Sequence, residues 1–169
     1  MHLACLQRGK KGSSLLTQRL YNTGQVCCAS KRFLVHEDVA EEFTKKVVEK
    51  IDTLKQGMPL EEDTQIGCLI SEKAAKTVEE QIQLTVQQGG KIVLGGGRDG
   101  AFIEPTVIVD VPKTADVAID MEIFGPGGAH HHLQDRRGGH RDSQRLEVRS
   151  VQLHLLGRPE DLREVRLRA

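Results

Sequence analysis

The chain has 169 residues, enough for one globular domain of ordinary size. Its 24 Lys and Arg balance 24 Asp and Glu, which argues against a dedicated nucleic-acid binder. No apolar run approaches ~18 residues and no apolar stretch follows Arg8, Lys10 and Lys11, so neither a membrane helix nor a secretory leader is expected.

In chain order, Lys31–His36 is a short apolar run suited to a buried strand. Val39, Phe43, Val47, Val48, Ile51 and Leu54 then recur at three- and four-residue spacing, predicting an amphipathic helix over 38–55 with Asp38 as its N-cap. Gly57-Met58-Pro59 ends it, and an acidic loop runs on to Gly67. Ser71 is placed to cap a second helix with Ala74, Val78, Ile82 and Val86 inward, and Gly89-Gly90 is its expected stop. Lys91–Leu94 reads as a strand, Gly95–Gly97 and Asp99-Gly100 as turn, and 102–111 as an extended stretch broken by Pro105. Strand, helix, helix, strand is the grammar of an α/β domain.

After Pro126 the composition changes. The first 126 residues hold all 11 lysines, all 9 isoleucines and only 4 arginines; the last 43 hold 9 arginines and 5 of the 7 histidines. Acidic residues from Asp135 to Glu164 interrupt that basic run, and its apolar residues keep no sustained period, so a nucleic-acid arm is not expected.

The sharpest local feature is Asn22–Ser30. Cys27 follows a glycine turn and precedes a buried strand, where backbone amides can stabilise a thiolate and then an oxyanion. Most cysteines are small core residues, so that reading stays open, as does soft-metal binding by Cys27-Cys28, although no second pair stands at zinc-ligand spacing. In Glu122–Pro126 a carboxylate and an aromatic two apart on an extended segment point to one side; the plain alternative is a loop with one buried Phe. Gly95–Gly97 lacks the spacing of a phosphate-binding loop and is read as a turn.

Leu20–Ala29 resembles the cysteine motif of the aldehyde dehydrogenase superfamily, and Phe102–Val107 and Glu122–Pro126 resemble two further segments in that family's order. The resemblance covers 19–126, leaving 1–18 as a non-family leader and 127–169 as a disordered or irregular tail. It implies a partial catalytic domain of helices on a mostly parallel sheet. It also implies Cys27 as the nucleophile on an aldehyde substrate, its own amide contributing to the oxyanion hole. Glu122 would bind the nicotinamide ribose of NAD or NADP, and Phe124 would lie near the nicotinamide ring. Cys28 carries no implied role and is read as structural. The neighbouring sequence is nearest the succinate-semialdehyde branch. A general-base glutamate, an oxyanion-hole asparagine and the cofactor domain belong to segments not represented here, so the chain is expected to be inactive alone. The family's homo-oligomer strand is likewise expected to be lost, and a cytoplasmic location is expected. The alternative is a non-catalytic fragment or pseudogene product that binds full-length relatives.

Back-translating Gly127–Gln134 and reading one nucleotide on permits Val-Val-Pro-Ile-Ile-Thr-Phe-Lys, which such a family places after Pro126. The same shift stays family-like through Pro159, so a one-nucleotide frameshift near codon 127 is expected. Under it, His130–His132 and His140 are misread codons with no metal site.

Overall fold

The computed structural model describes residues 16, 18–133 and 152–156. Its elements are β1 (Ser30–His36), α1 (Glu37–Asp52), α2 (Glu72–Gln87), β2 (Lys91–Leu94), β3 (Arg98–Asp99), β4 (Phe102–Ile103), β5 (Thr106–Val109), the single turn α3 (Asp116–Ile119), β6 (Gly127–Leu133) and β7 (Gln152–Leu156). Five strands form one sheet in the order β2-β5-β6-β1-β7, with β2 antiparallel to β5 and the other neighbours parallel. The short β3–β4 hairpin stands apart.

Both faces of this sheet are covered, as parallel strands require. Strand β5 shows why: its side chains alternate between faces, so Val107 and Val109 join one apolar cluster and Ile108 the other. The first cluster holds Val39, Phe43, Val47 and Ile51 from α1, with the Phe33 and Phe43 rings 6.0 Å apart and tilted. The second holds Ala75, Val78 and Ile82 from α2.

Several sequence expectations shift by a residue or two. Helix α1 begins at Glu37, so Asp38 is in the first turn, where its charge meets the positive end of the helix dipole, and is not the cap. It ends at Asp52, and Gln56 beyond it bridges to Ile66. Ser71 does cap α2, its hydroxyl accepting from the Ala74 N–H at 3.1 Å. The inward stripe of α2 is Ala75, Val78, Ile82 and Thr85, with Ala74 and Val86 only half-buried. Thr85 tolerates burial because its hydroxyl donates to the Gln81 carbonyl at 2.8 Å. Of the stretch 127–169 read as an irregular tail, Gly127–Leu133 and Gln152–Leu156 stand in the sheet as strands flanking β1, where backbone pairing needs no particular side chain. The remainder lies outside the described residues, as do the side chains of His130–His132.

The topology places the site. Strands β1 and β6 are parallel neighbours, so they start at the same end of the sheet. The segments leading into them, one carrying Cys27 and the other Glu122 and Phe124, are therefore brought side by side.

Candidate active site

The turn before β1 is backbone-strained. Asn22, Thr23 and Gly24 all have positive φ (47, 57 and 76°), which costs little for glycine and more for a β-branched threonine. Neighbours hold it there. The Gly67 N–H donates to Thr23 Oγ1 at 3.1 Å, and the Gln25 side chain accepts from the Ile70 N–H at 2.9 Å and donates to the Cys68 carbonyl at 3.4 Å. A turn closed by Ala29 N–H on the Val26 carbonyl (3.3 Å) then exposes both Cys27 and Cys28. Cys28 is thus no core residue, and its reading as structural does not fit its exposure.

On the facing segment Ile123 is buried while Phe124 keeps 42% of its surface exposed. The plain reading of a loop with one buried Phe is thereby corrected, since Ile123 supplies the apolar anchor. Helix α2 holds the segment, with Gln81 donating to the Glu122 carbonyl at 3.1 Å. Gly95–Gly97 is a turn: Gly95 has φ 70° and packs directly on the Pro105 carbonyl, and Gly97 N–H donates to Glu104.

Two buried cations join the segments. The Arg19 guanidinium donates to the carbonyls of Gly125 (2.7 Å), Gly127 (2.6 Å) and Ile123 (3.3 Å). Lys31 Nζ donates to the Gly24 carbonyl at 3.1 Å and the Ile123 carbonyl at 3.4 Å. It lies 3.7 Å from Glu122 Oε1 and 4.1 Å from the centre of the Phe124 ring. Burial lowers the Arg19 pKa to about 10, against an opposing pull from Glu122. Burial, then repulsion from Arg19, lowers that of Lys31 to about 8, while Glu122 and Cys27 oppose the shift. Sequence reasoning missed Lys31 as a site residue. The available signal was a charged pair, Lys31-Arg32, opening a buried strand, because such charges must find partners.

Beside Phe124 an open recess of about 630 Å³ is lined by Asn22, Gln25, Cys68, Leu69, Ile70 and Ala74. No cluster of three or more metal-ligating side chains occurs among the described residues. The arrangement offers an exposed thiol on one segment and, on the other, a carboxylate and an aromatic face, joined through Lys31.

Residues 10–127 match the model of the aldehyde dehydrogenase family, so the match begins inside the 1–18 stretch read as leader. Lactaldehyde dehydrogenase of Methanococcus aeolicus is 42% identical over 118 residues, 69% of this chain and 25% of that protein. The NADP-dependent succinate-semialdehyde dehydrogenase of Mycobacterium leprae is 39% identical over 117 residues, 68% of this chain and 25% of that one. The solved structure of aldehyde dehydrogenase 21 from Physcomitrella patens, in complex with the reaction product succinate, aligns with a TM-score of 0.72 at 31% identity, covering 91% of this chain and 37% of that one. The chain thus spans about a quarter of the length of the two curated relatives.

Proposed function

The chain belongs to the aldehyde dehydrogenase family, and on that premise we propose that Cys27 is the nucleophile for oxidation of an aldehyde to a carboxylic acid. The observation that carries the reading is the convergence of the Cys27 turn with Glu122 and Phe124 around Lys31. The Cys27 thiolate attacks the carbonyl carbon to give a thiohemiacetal, with the Cys27 amide donating to the new oxyanion. Loss of hydride leaves a thioester; water adds to it, and the carboxylic acid departs as the thiolate is restored.

NAD or NADP, when bound, supplies the hydride acceptor. The residues present fit the nicotinamide end of such a group: the Phe124 face is open to the recess, and Glu122 Oε1 is buried with no hydrogen bond to it among the described residues. Glu122 would hold the ribose and Phe124 the ring. The 169 residues alone are expected to lack aldehyde turnover, because positioning supplies much of an enzyme's rate and most of the relatives' length is not represented. A small aldehyde bearing an acid group, as in the succinate-semialdehyde branch, is the proposed substrate class. A cytoplasmic location is proposed on family grounds, and the strand of the family's homo-oligomer is proposed to be lost here; no described helix is long and apolar enough to cross a membrane.

The test is acylation by an activated ester, mapped by mass spectrometry. An acyl group on Cys27 in the wild type and none at that position in Cys27→Ala supports the reading; equal ester turnover by Cys27→Ala overturns it. The second reading, a non-catalytic fragment, is favoured by Ile70 at 89% exposure beside the recess. The frameshift near codon 127 also stands as a proposal, supported by a family match that ends at residue 127 and by the compositional break. A transcript in which one added or removed base restores Val-Val-Pro after Pro126 supports it; a transcript encoding every residue as written refutes it.

A further inference from the structure

Lys31 is a costly residue for its position. Its side chain is 2% exposed, the one carboxylate facing it among the described residues is at 3.7 Å, and a second buried cation, Arg19, repels it. A buried charge destabilises unless it is paired, and an apolar residue of similar length would fill the same space. What an apolar residue could not do is bridge. The ammonium reaches one carbonyl on each of two segments about a hundred residues apart, Gly24 before the thiol and Ile123 between Glu122 and Phe124, while resting on the Phe124 ring.

We infer that Lys31 is a positioning residue whose ammonium locks the turn before Cys27 onto the Glu122–Phe124 segment. The lock rests on the nucleophile reading for its purpose, since it fixes where the thiol stands relative to the carboxylate and the ring. A protonated amine offers three donors and a full charge to these partners; a neutral amine has two N–H groups and no charge for Glu122 or Phe124. The groups facing it are Arg19 from the segment before the turn, Cys27 on the turn and Glu122 from the segment before β6. Burial, then repulsion from Arg19, lowers its pKa only to about 8, so the ammonium persists at neutral pH.

Hydrogen exchange on the full chain at about pH 6.5, resolved to peptides, tests this by comparing the wild type with Lys31→Met and Lys31→Arg. In Lys31→Met, protection of 22–28 and 122–126 falls together by about tenfold or more, the loss expected for one hydrogen bond to a charged group, while α2 is unchanged. Lys31→Arg keeps that protection, because a guanidinium carries the same charge and several donors. Lys31→Met protected like wild type at both segments overturns the lock. Should Lys31→Met not fold, Lys31→Gln makes the same comparison and the same outcomes decide. Iodoacetamide labelling of the same samples separates the two readings. Cys27 labelled no faster than Cys28 sinks the nucleophile, and unchanged exchange in Lys31→Met with selective Cys27 labelling in the wild type sinks only the lock.

Discussion

Gly24 and Gly125 meet backbone to backbone: a methyl group on Gly24 would stand 2.2 Å from the Gly125 carbonyl oxygen. Gly24 is three residues before Cys27 and Gly125 directly follows Phe124, so this contact sets how near the thiol-bearing turn approaches the carboxylate and the ring. The same glycine has φ 76°, and its own carbonyl receives the Lys31 ammonium.

Gly24→Ala should therefore separate the two segments. Left-handed strain costs about 1–2 kcal/mol, and relieving the overlap costs about 1–3 kcal/mol more. A lowered urea midpoint together with loss of selective Cys27 acylation is expected. Unchanged stability and unchanged selectivity would show that the contact is dispensable.

The two adjacent thiols should behave differently. Cys27→Ala is expected to abolish ester-dependent acylation of the turn, while Cys28→Ala retains it. Both are exposed, so access alone does not distinguish them, and acylation at similar rates would remove any special role for position 27.

Stability should rise with pH where Lys31 titrates. Its pKa is lowered in the folded chain from 10.5 to about 8, so across that window the unfolded chain holds more protons and unfolding becomes harder as pH increases. The full effect is on the order of 3 kcal/mol, at about 1.4 kcal/mol for each tenfold change in proton affinity. Urea midpoints at intervals through the window, compared with Lys31→Met, should show the slope in wild type only. Lys31→Met is thus expected to be globally more stable at neutral pH while its Cys27 turn is less protected. A parallel slope in both proteins would assign the pH response to other groups.

Core and surface should separate cleanly. Ile82 is fully buried against α2's side of the sheet, and Ile82→Ala should cost about 2–5 kcal/mol. Leu60 is 97% exposed, and Leu60→Ala should stay within about 0.5 kcal/mol. Denaturant midpoints measure both, and a tolerant Ile82 would mean that α2 is not docked.

Much of this was legible in the residues. The period of Val39, Phe43, Val47 and Ile51 located α1, and Ser71 and Gly89 bracketed α2 because caps and stops are local chemistry. The inward stripe of α2 was misphased because a threonine at 85 does not announce burial; its hydroxyl is satisfied within the helix. Asp116–Ile119 was missed because four residues are too few to show a period. Cys27, Glu122 and Phe124 stood out by motif. Lys31 did not, since its role exists only once β1 and β6 are neighbours, and adjacency of strands is a property of topology that no short window of sequence carries.

That adjacency has a temporal side. Arg32 pairs with Ala129, so the loop that must close before the site exists is about a hundred residues long. Contacts of such sequence separation form late, after the local helices have paid their own ordering entropy. On a ribosome, Cys27 emerges well before the segment that will flank it. The newborn thiol therefore waits, without its carboxylate and ring, until nearly the whole described chain has been made.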